Sequence, residues 1–248
     1  MTEQPTDRKP AVWAHRGASA DAPENTLPAF ELALQQGADG FELDIQFTRD
    51  DEIVVIHDET LERTTDGTGW VADHSLADLA GLDASNGFSR FTGTRIPTLQ
   101  QVLGLVRDND ATVNIELKNS QMRYLGMEEK LAAMLADFGS PERFVLSSFN
   151  HYSLRKLAGL GVRSTLGALF GEPLFRPWKY AQKLGVGALH PPCSRPTLSA
   201  KLVRRCHESG LKVHLWTVND RADLEWAARH GVDAVITDTP AKARNLYG

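Results

Sequence analysis

The spacing of apolar runs is what most narrows the fold of this chain. Residues 11–15, 40–48, 53–56, 112–117, 143–148, 163–169, 186–190, 212–218 and 232–236 read as strands. Helical patterns fit at about 25–36, 98–108, 127–138, 150–159, 176–184, 198–209, 220–230 and 239–246. Strands alternating with helices of this length build βαβ units and a parallel sheet. One gap breaks the rhythm: only Arg49-Asp50-Asp51-Glu52 separates the runs 40–48 and 53–56. A parallel crossover needs about a dozen residues, so these two runs must form an antiparallel hairpin. Eight parallel strands then remain, and a (β/α)8 TIM barrel is their simplest closure. The runner-up, a doubly wound sheet, lacks a GxGxxG strand-turn-helix fingerprint here.

A chain of 248 residues suits one barrel domain over residues 1–248. With 42% hydrophobic and 24% charged residues it is globular rather than disordered. A net charge of −5 argues against a general nucleic-acid or anionic-membrane binder and leaves room only for a local basic pocket. Cys193 and Cys206 form neither a disulfide framework nor a zinc motif, and both are expected reduced. The opening Met1–Pro10 is polar, and no run of 18 apolar residues occurs, so a soluble, cytoplasmic protein is expected. Residues 57–96 are punctuated by five glycines and show helical pattern only at Ser75–Leu82. They read as a small insertion after strand two and, since barrel active sites sit on the loops at strand C-termini, as a candidate cover.

Charged residues inside apolar runs need an explanation, because an unpaired buried carboxylate is costly. Strand one ends in His15-Arg16-Gly17, strand two contains Glu42-Leu43-Asp44, and its hairpin partner ends in His57-Asp58. The strand at 112–117 runs into Asn114-Ile115-Glu116-Leu117-Lys118. Side chains two apart on a strand share a face, so Glu42 and Asp44 point together, as do Asn114, Glu116 and Lys118. Converging at the barrel mouth, Glu42, Asp44 and Glu116 make a hard-oxygen site suited to Mg²⁺ or Ca²⁺ rather than zinc. A two-residue turn at Asp50-Asp51 would set His57 opposite Asp44, on the same face. Singly, each residue has a bland reading as turn, cap or surface ion pair. The joint pattern does not.

These motifs, with Pro23-Glu24-Asn25-Thr26, Arg63-Thr64-Thr65, Ser147-Ser148-Phe149 and Trp216-Thr217-Val218-Asn219, resemble the glycerophosphodiester phosphodiesterase family over about residues 11–240. The short chain is most similar to the cytosolic bacterial type. The resemblance implies a TIM barrel with an insertion after the second strand and one divalent cation on Glu42, Asp44 and Glu116. It also implies His15 and His57 as acid and base, with Arg16 and Lys118 on the phosphate. The family's usual Asp-Gly turn reads Asp50-Asp51 here. The expected reaction is hydrolysis of a small glycerophosphodiester to glycerol 3-phosphate and an alcohol, by attack of water or of the glycerol 2-hydroxyl.

Further positions carry weaker expectations. Asn25 reads either as a helix N-cap or, with Glu24, as a neighbour of the metal or phosphate. Trp216, Phe149 and Phe170 read as walls for the alcohol side or as core. His190 is a candidate for the mouth; His74, His151, His207, His214 and His230 carry no assigned role. The rival activities are a phospholipase C or D acting on lipid phosphodiesters, which would favour exposed apolar rim loops, and a phosphodiester sensor without turnover. A zinc amidohydrolase is disfavoured because strand one has no HxH.

Overall fold

The computed structural model describes residues 9–194 and 198–248, so the polar segment 1–8 lies outside the described residues. The strands are β1 (Ala11–His15), β2 (Gly40–Phe47), β3 (Ile53–Val55), β4 (Thr112–Leu117) and β5 (Phe144–Ser148), then β6 (Thr165–Leu169), β7 (Ala188–His190), β8 (Lys212–Leu215) and β9 (Ala234–Thr237). The α-helices are α1 (Leu27–Gln35), α2 (Leu76–Leu79), α3 (Leu99–Leu105), α4 (Met127–Phe138) and α5 (His151–Gly159), followed by α6 (Pro177–Leu184), α7 (Ala200–Glu208), α8 (Arg221–Arg229) and α9 (Pro240–Tyr247). Because β1 pairs with both β2 and β9, eight parallel strands close as β1-β2-β4-β5-β6-β7-β8-β9, and β3 runs antiparallel along β2. This is the expected (β/α)8 barrel with an insertion after its second strand.

The two faces of each strand explain the sequence pattern. Phe41, Leu43, Ile45, Val113, Ile115 and Leu117 join the large core shared with the helices, where Phe41 stacks on Phe30 at 4.4 Å between ring centroids. The alternate residues turn into the barrel, whose apolar plug is Trp13, Val145, Ala234 and Ile236. Helices begin where the sequence supplies caps: Thr26, Thr98 and Ser199 each accept a backbone N–H from three residues on. Gly40 is dictated by the neighbouring strand, since a Cβ there would stand 2.0 Å from the Thr112 carbonyl oxygen.

The hairpin corrects one expectation. Its loop has three residues, Arg49-Asp50-Asp51, closed by Asp51 in the left-handed region at φ 58°, with Thr48 N–H donating to the Glu52 carbonyl at 3.0 Å. Ile45 therefore pairs with Val55, and it is Ile56, not His57, whose N–H meets the Asp44 carbonyl, at 3.0 Å. The ladder ends at Val55, and Gln46 Nε2 donates to the His57 carbonyl at 2.9 Å. His57 is thus placed by the departing chain rather than by strand alternation. The segment 57–96 that follows packs Leu61, Val71, Leu79, Ala84 and Ile96 with Val54 and Ile56 into a small core of its own.

Two histidines are buried inside the barrel. His214 Nδ1 lies 2.9 Å from His190 Nε2, and a Cβ at position 167 would come within 2.2 Å of that same Nε2, so Gly167 makes the room. His190 is therefore an interior residue and not, as the sequence allowed, part of the mouth. Burial pushes the His190 imidazole down to about 3 and lowers that of His214. An unfolded histidine titrates near 6.5. The neutral pair's contribution to stability is thus complete above pH 6.5 and is lost as pH falls towards 3. At pH 5 the His190 contribution alone is down by about 2 kcal/mol. Urea unfolding of wild type and His190→Gln at pH 7 and pH 5 measures it: the pH-dependent loss should be about that much larger in wild type, and equal losses would contradict it.

Candidate active site

The β2–β4 register sets Glu42 beside Asn114 and Asp44 beside Glu116, all directed into the barrel. One ligating oxygen from each of Glu42, Asp44 and Glu116 lies within 4.8 Å of the other two, and all three residues are buried. Burial first, and then the charge of Asp44, drives Glu116 above the usual carboxylate range; Glu42 is raised well above it by burial, Asp44 and Glu116. Burial opposes the charge of Asp44 as well, but Arg16, His57 and Lys118 hold its carboxyl below its ordinary value. Asp44 Oδ1 and Asn114 Oδ1 are buried acceptors without a hydrogen-bond donor. Orphaned acceptors of this kind are costly, and three converging carboxylates repel, so this donor set fits a hard divalent cation.

Each candidate imidazole is gripped through Nδ1 by a carboxylate. His15 Nδ1 lies 2.7 Å from Asp238 Oδ1, and its Nε2 is 4.0 Å from Glu42 Oε2. Asp238 follows β9 and also receives Ser19 Oγ at 3.1 Å and Asn219 Nδ2 at 2.6 Å. Burial works against its charge, yet the hydrogen bond from His15 leads a set that holds it ionised, down at about 2. His57 Nδ1 lies 2.6 Å from Asp58 Oδ1, and Lys118 Nζ stands 3.1 Å from its Nε2. Burial lowers the His57 pKa; Asp44 opposes, while Arg16 and Lys118 reinforce the shift.

Cations complete the cluster. Lys118 Nζ donates to Glu116 Oε1 at 2.9 Å. Arg16 sits in the left-handed region at φ 57°, where its N–H reaches Glu42 Oε2 at 3.1 Å and its guanidinium reaches Glu24 at 2.8 Å. Arg63, from the segment after β3, forks onto both Asp58 and Glu24 at 2.6–3.0 Å. One guanidinium therefore ties the partner of His57 to the partner of Arg16.

One cavity is lined by His15, Arg16, Glu42, His57, Asn114, Glu116, Lys118, Phe149, Leu169, Trp216 and Ile236. Trp216 meets Phe149 edge-on at 5.7 Å and donates Nε1–H to the His190 carbonyl at 2.7 Å, which fixes the indole as a wall. Phe170 is buried in the outer core and takes no part in this wall. Asn25 is not the N-cap of α1, a role Thr26 fills; its Nδ2 donates to Asp44 Oδ2 at 2.9 Å. His74, His207 and His230 make hydrogen bonds of their own away from this cavity, His151 sits behind its wall with Nε2 2.8 Å from the Leu169 carbonyl, and Cys193 and Cys206 are free thiols.

Residues 15–242 match the model of the glycerophosphoryl diester phosphodiesterase family. A glycerophosphodiester phosphodiesterase of Caldanaerobacter subterraneus subsp. tengcongensis is 44% identical over 239 residues, covering 96% of this chain and 98% of that one. The chain belongs to this family. Among solved structures, an Oleispira antarctica phosphodiesterase in complex with the product sn-glycerol-3-phosphate shares 31% identity at a TM-score of 0.86, with 96% of each chain covered. A Silicibacter pomeroyi structure superposes at a TM-score of 0.88 with 25% identity, covering 98% of this chain and 95% of that one. This family member is accordingly a metal-dependent phosphodiesterase acting on glycerophosphodiesters. Among its described residues no helix is long and apolar enough to cross a membrane.

Two residues of this phosphodiesterase escape a reading of motifs. Asp238, separated from His15 by 223 positions, resembles an ordinary helix-start aspartate in Thr237-Asp238-Thr239-Pro240. Arg63 is visible in its motif, but its clamp on Glu24 and Asp58 depends on how the insertion folds back.

Proposed function

We propose that this phosphodiesterase hydrolyses glycerophosphodiesters to glycerol 3-phosphate and an alcohol such as choline, ethanolamine or glycerol, with His15 and His57 as its acid–base pair. The observation that carries the reading is the pair of imidazoles, each anchored through Nδ1 to a carboxylate and sharing one cavity with Glu42 and Glu116 of the acidic triad. The product held by the Oleispira relative supports the same product class.

A divalent ion held by Glu42, Asp44 and Glu116, Mg²⁺ or Ca²⁺ by donor type, supplies a Lewis acid for the charge that grows on the phosphoryl oxygens. Arg16 offers a guanidinium fork and Lys118 a compact charge to that same phosphate. Arg16 remains charged because, although burial opposes it, Asp44, Glu24 and Glu42 surround it. His57 is the proton acceptor: Asp58 takes its Nδ1–H and Lys118 donates to Nε2, the tautomer with its lone pair towards the cavity. The hydroxyl it activates comes from water or from the glycerol 2-position. His15 is the proton donor. The other side-chain partners of Asp238 are neutral, so its charge is spent on the imidazolium, whereas Arg63 claims much of the charge of Asp58. Trp216 and Phe149 wall the alcohol side.

A coupled assay for glycerol 3-phosphate with several glycerophosphodiesters tests the reading. Turnover is expected with at least one of them, to vanish in EDTA, and to return with added Mg²⁺, Ca²⁺ or Mn²⁺. Full activity in EDTA would overturn it.

A further inference from the structure

A second concave feature lies beside the active site and plays no part in the hydrolysis described above. Leu169 ends β6 and lines the catalytic cavity; the next residue, Phe170, begins the lining of a groove of about 600 Å³ between the β6–α6 connection and α7. Its charged walls are Arg176, Lys179, Lys201 and Arg205, and no acidic residue is among its lining. Arg205 pairs with Glu208, while Arg176, Lys179 and Lys201 have no carboxylate partner among the described residues. Four cations in one groove stand out on a chain whose net charge is −5.

The groove's lip is apolar and exposed. Phe175 is 88% exposed and Leu174 39%, and the Arg176 guanidinium lies 5.0 Å from the Phe175 ring centroid. Leu125 on the β4–α4 connection and Tyr152 in the first turn of α5 are also exposed. An outward ring and an outward leucine above a row of cations is the arrangement that inserts shallowly into a bilayer interface while the cations meet anionic headgroups.

We propose that this groove and its lip dock the protein, reversibly, on an anionic lipid surface. The charge of the walls selects an anionic layer over a neutral one, and the Leu174-Phe175 lip selects a bilayer over a soluble anion. Docked this way, the protein turns the strand C-termini, and with them the catalytic cavity, towards the membrane. Glycerophosphodiesters are deacylated phospholipids, so this orientation sets the site where its substrates are released. The contact is peripheral and separate from the chemistry. It does not depend on the roles given to His15 and His57.

Flotation of the metal-loaded protein with vesicles of phosphatidylcholine, with and without phosphatidylglycerol, is the test. Binding is expected only with phosphatidylglycerol present, and is expected to fall with rising salt. Lys179→Ala should weaken it about fivefold, and Phe175→Ser should weaken it by at least as much. Both variants should turn over soluble glycerophosphocholine at the wild-type rate. The proposal is overturned by absence of binding, by equal binding to neutral vesicles, or by unchanged binding of both variants. A loss of soluble turnover in the variants would overturn it too, by assigning the groove to the substrate path. So would a dimer in solution that both variants dissolve, which would make a second copy the occupant.

Discussion

Replacing Asp44 by asparagine is expected to lower kcat/KM by about a thousandfold, through loss of the central oxygen donor of the triad. The change is nearly isosteric, and Asn25 keeps a carbonyl oxygen to donate to, so the barrel should persist with unchanged circular dichroism. Cation binding should show the difference directly. At a hundredfold excess over Kd, a cation stabilises the native state by about 2.7 kcal/mol, which for a chain of this size raises Tm by roughly 5–10 °C. Wild type should show that rise with Mn²⁺, and the variant should show none. An intact rise alongside lost activity would move the cation elsewhere and leave Asp44 as only a partner of Arg16 and Asn25.

The second large effect concerns the two imidazoles. His15→Ala and His57→Ala should each reduce kcat by about 10²–10⁴-fold, and the double variant should fall little further, since the pair acts as one unit. A substrate that releases p-nitrophenol separates their roles. A leaving group that needs no proton should restore most of the rate to His15→Ala and little to His57→Ala. The reverse pattern would exchange donor and acceptor. Asp238→Asn, which removes the negative charge facing His15 Nδ1–H without emptying the site, should lower kcat in the same direction by about a hundredfold. Equal rates of wild type and this variant would make the contact with Asp238 merely structural.

Much of the fold could be read from the chain because barrel strands buried on both faces are short apolar runs, and the helices between them announce their caps. Strand ends were the weaker part: the run at 212–218 shortens to β8, Lys212–Leu215, with Trp216 continuing only as an isolated bridge to Pro192. The triad was legible for a simple reason. Glu42 and Asp44 share a face by alternation, and a carboxylate inside an apolar run has few explanations. The hairpin register was not legible, since it turns on Asp51 adopting a left-handed conformation that glycine would have advertised. Nor were the contacts made only on closure. Asp238 reaches His15 because β9, the last strand of the chain, closes against β1. Asn25 shows a subtler case: next to a helix start, the residue that caps and the residue that holds a carboxylate look alike.

The groups proposed to react all come from one side of the barrel: β1, β2 with its hairpin, β4 and the end of β9. Phe149 just after β5, Leu169 at the end of β6 and Trp216 just after β8 line the opposite side of the same cavity. On the proposed roles, recognition and reaction fall to different arcs of one ring. Loops grafted onto the recognition arc from another barrel can retune which alcohol is released while leaving the reactive arc undisturbed, so a change of specificity need not begin by dismantling the catalyst.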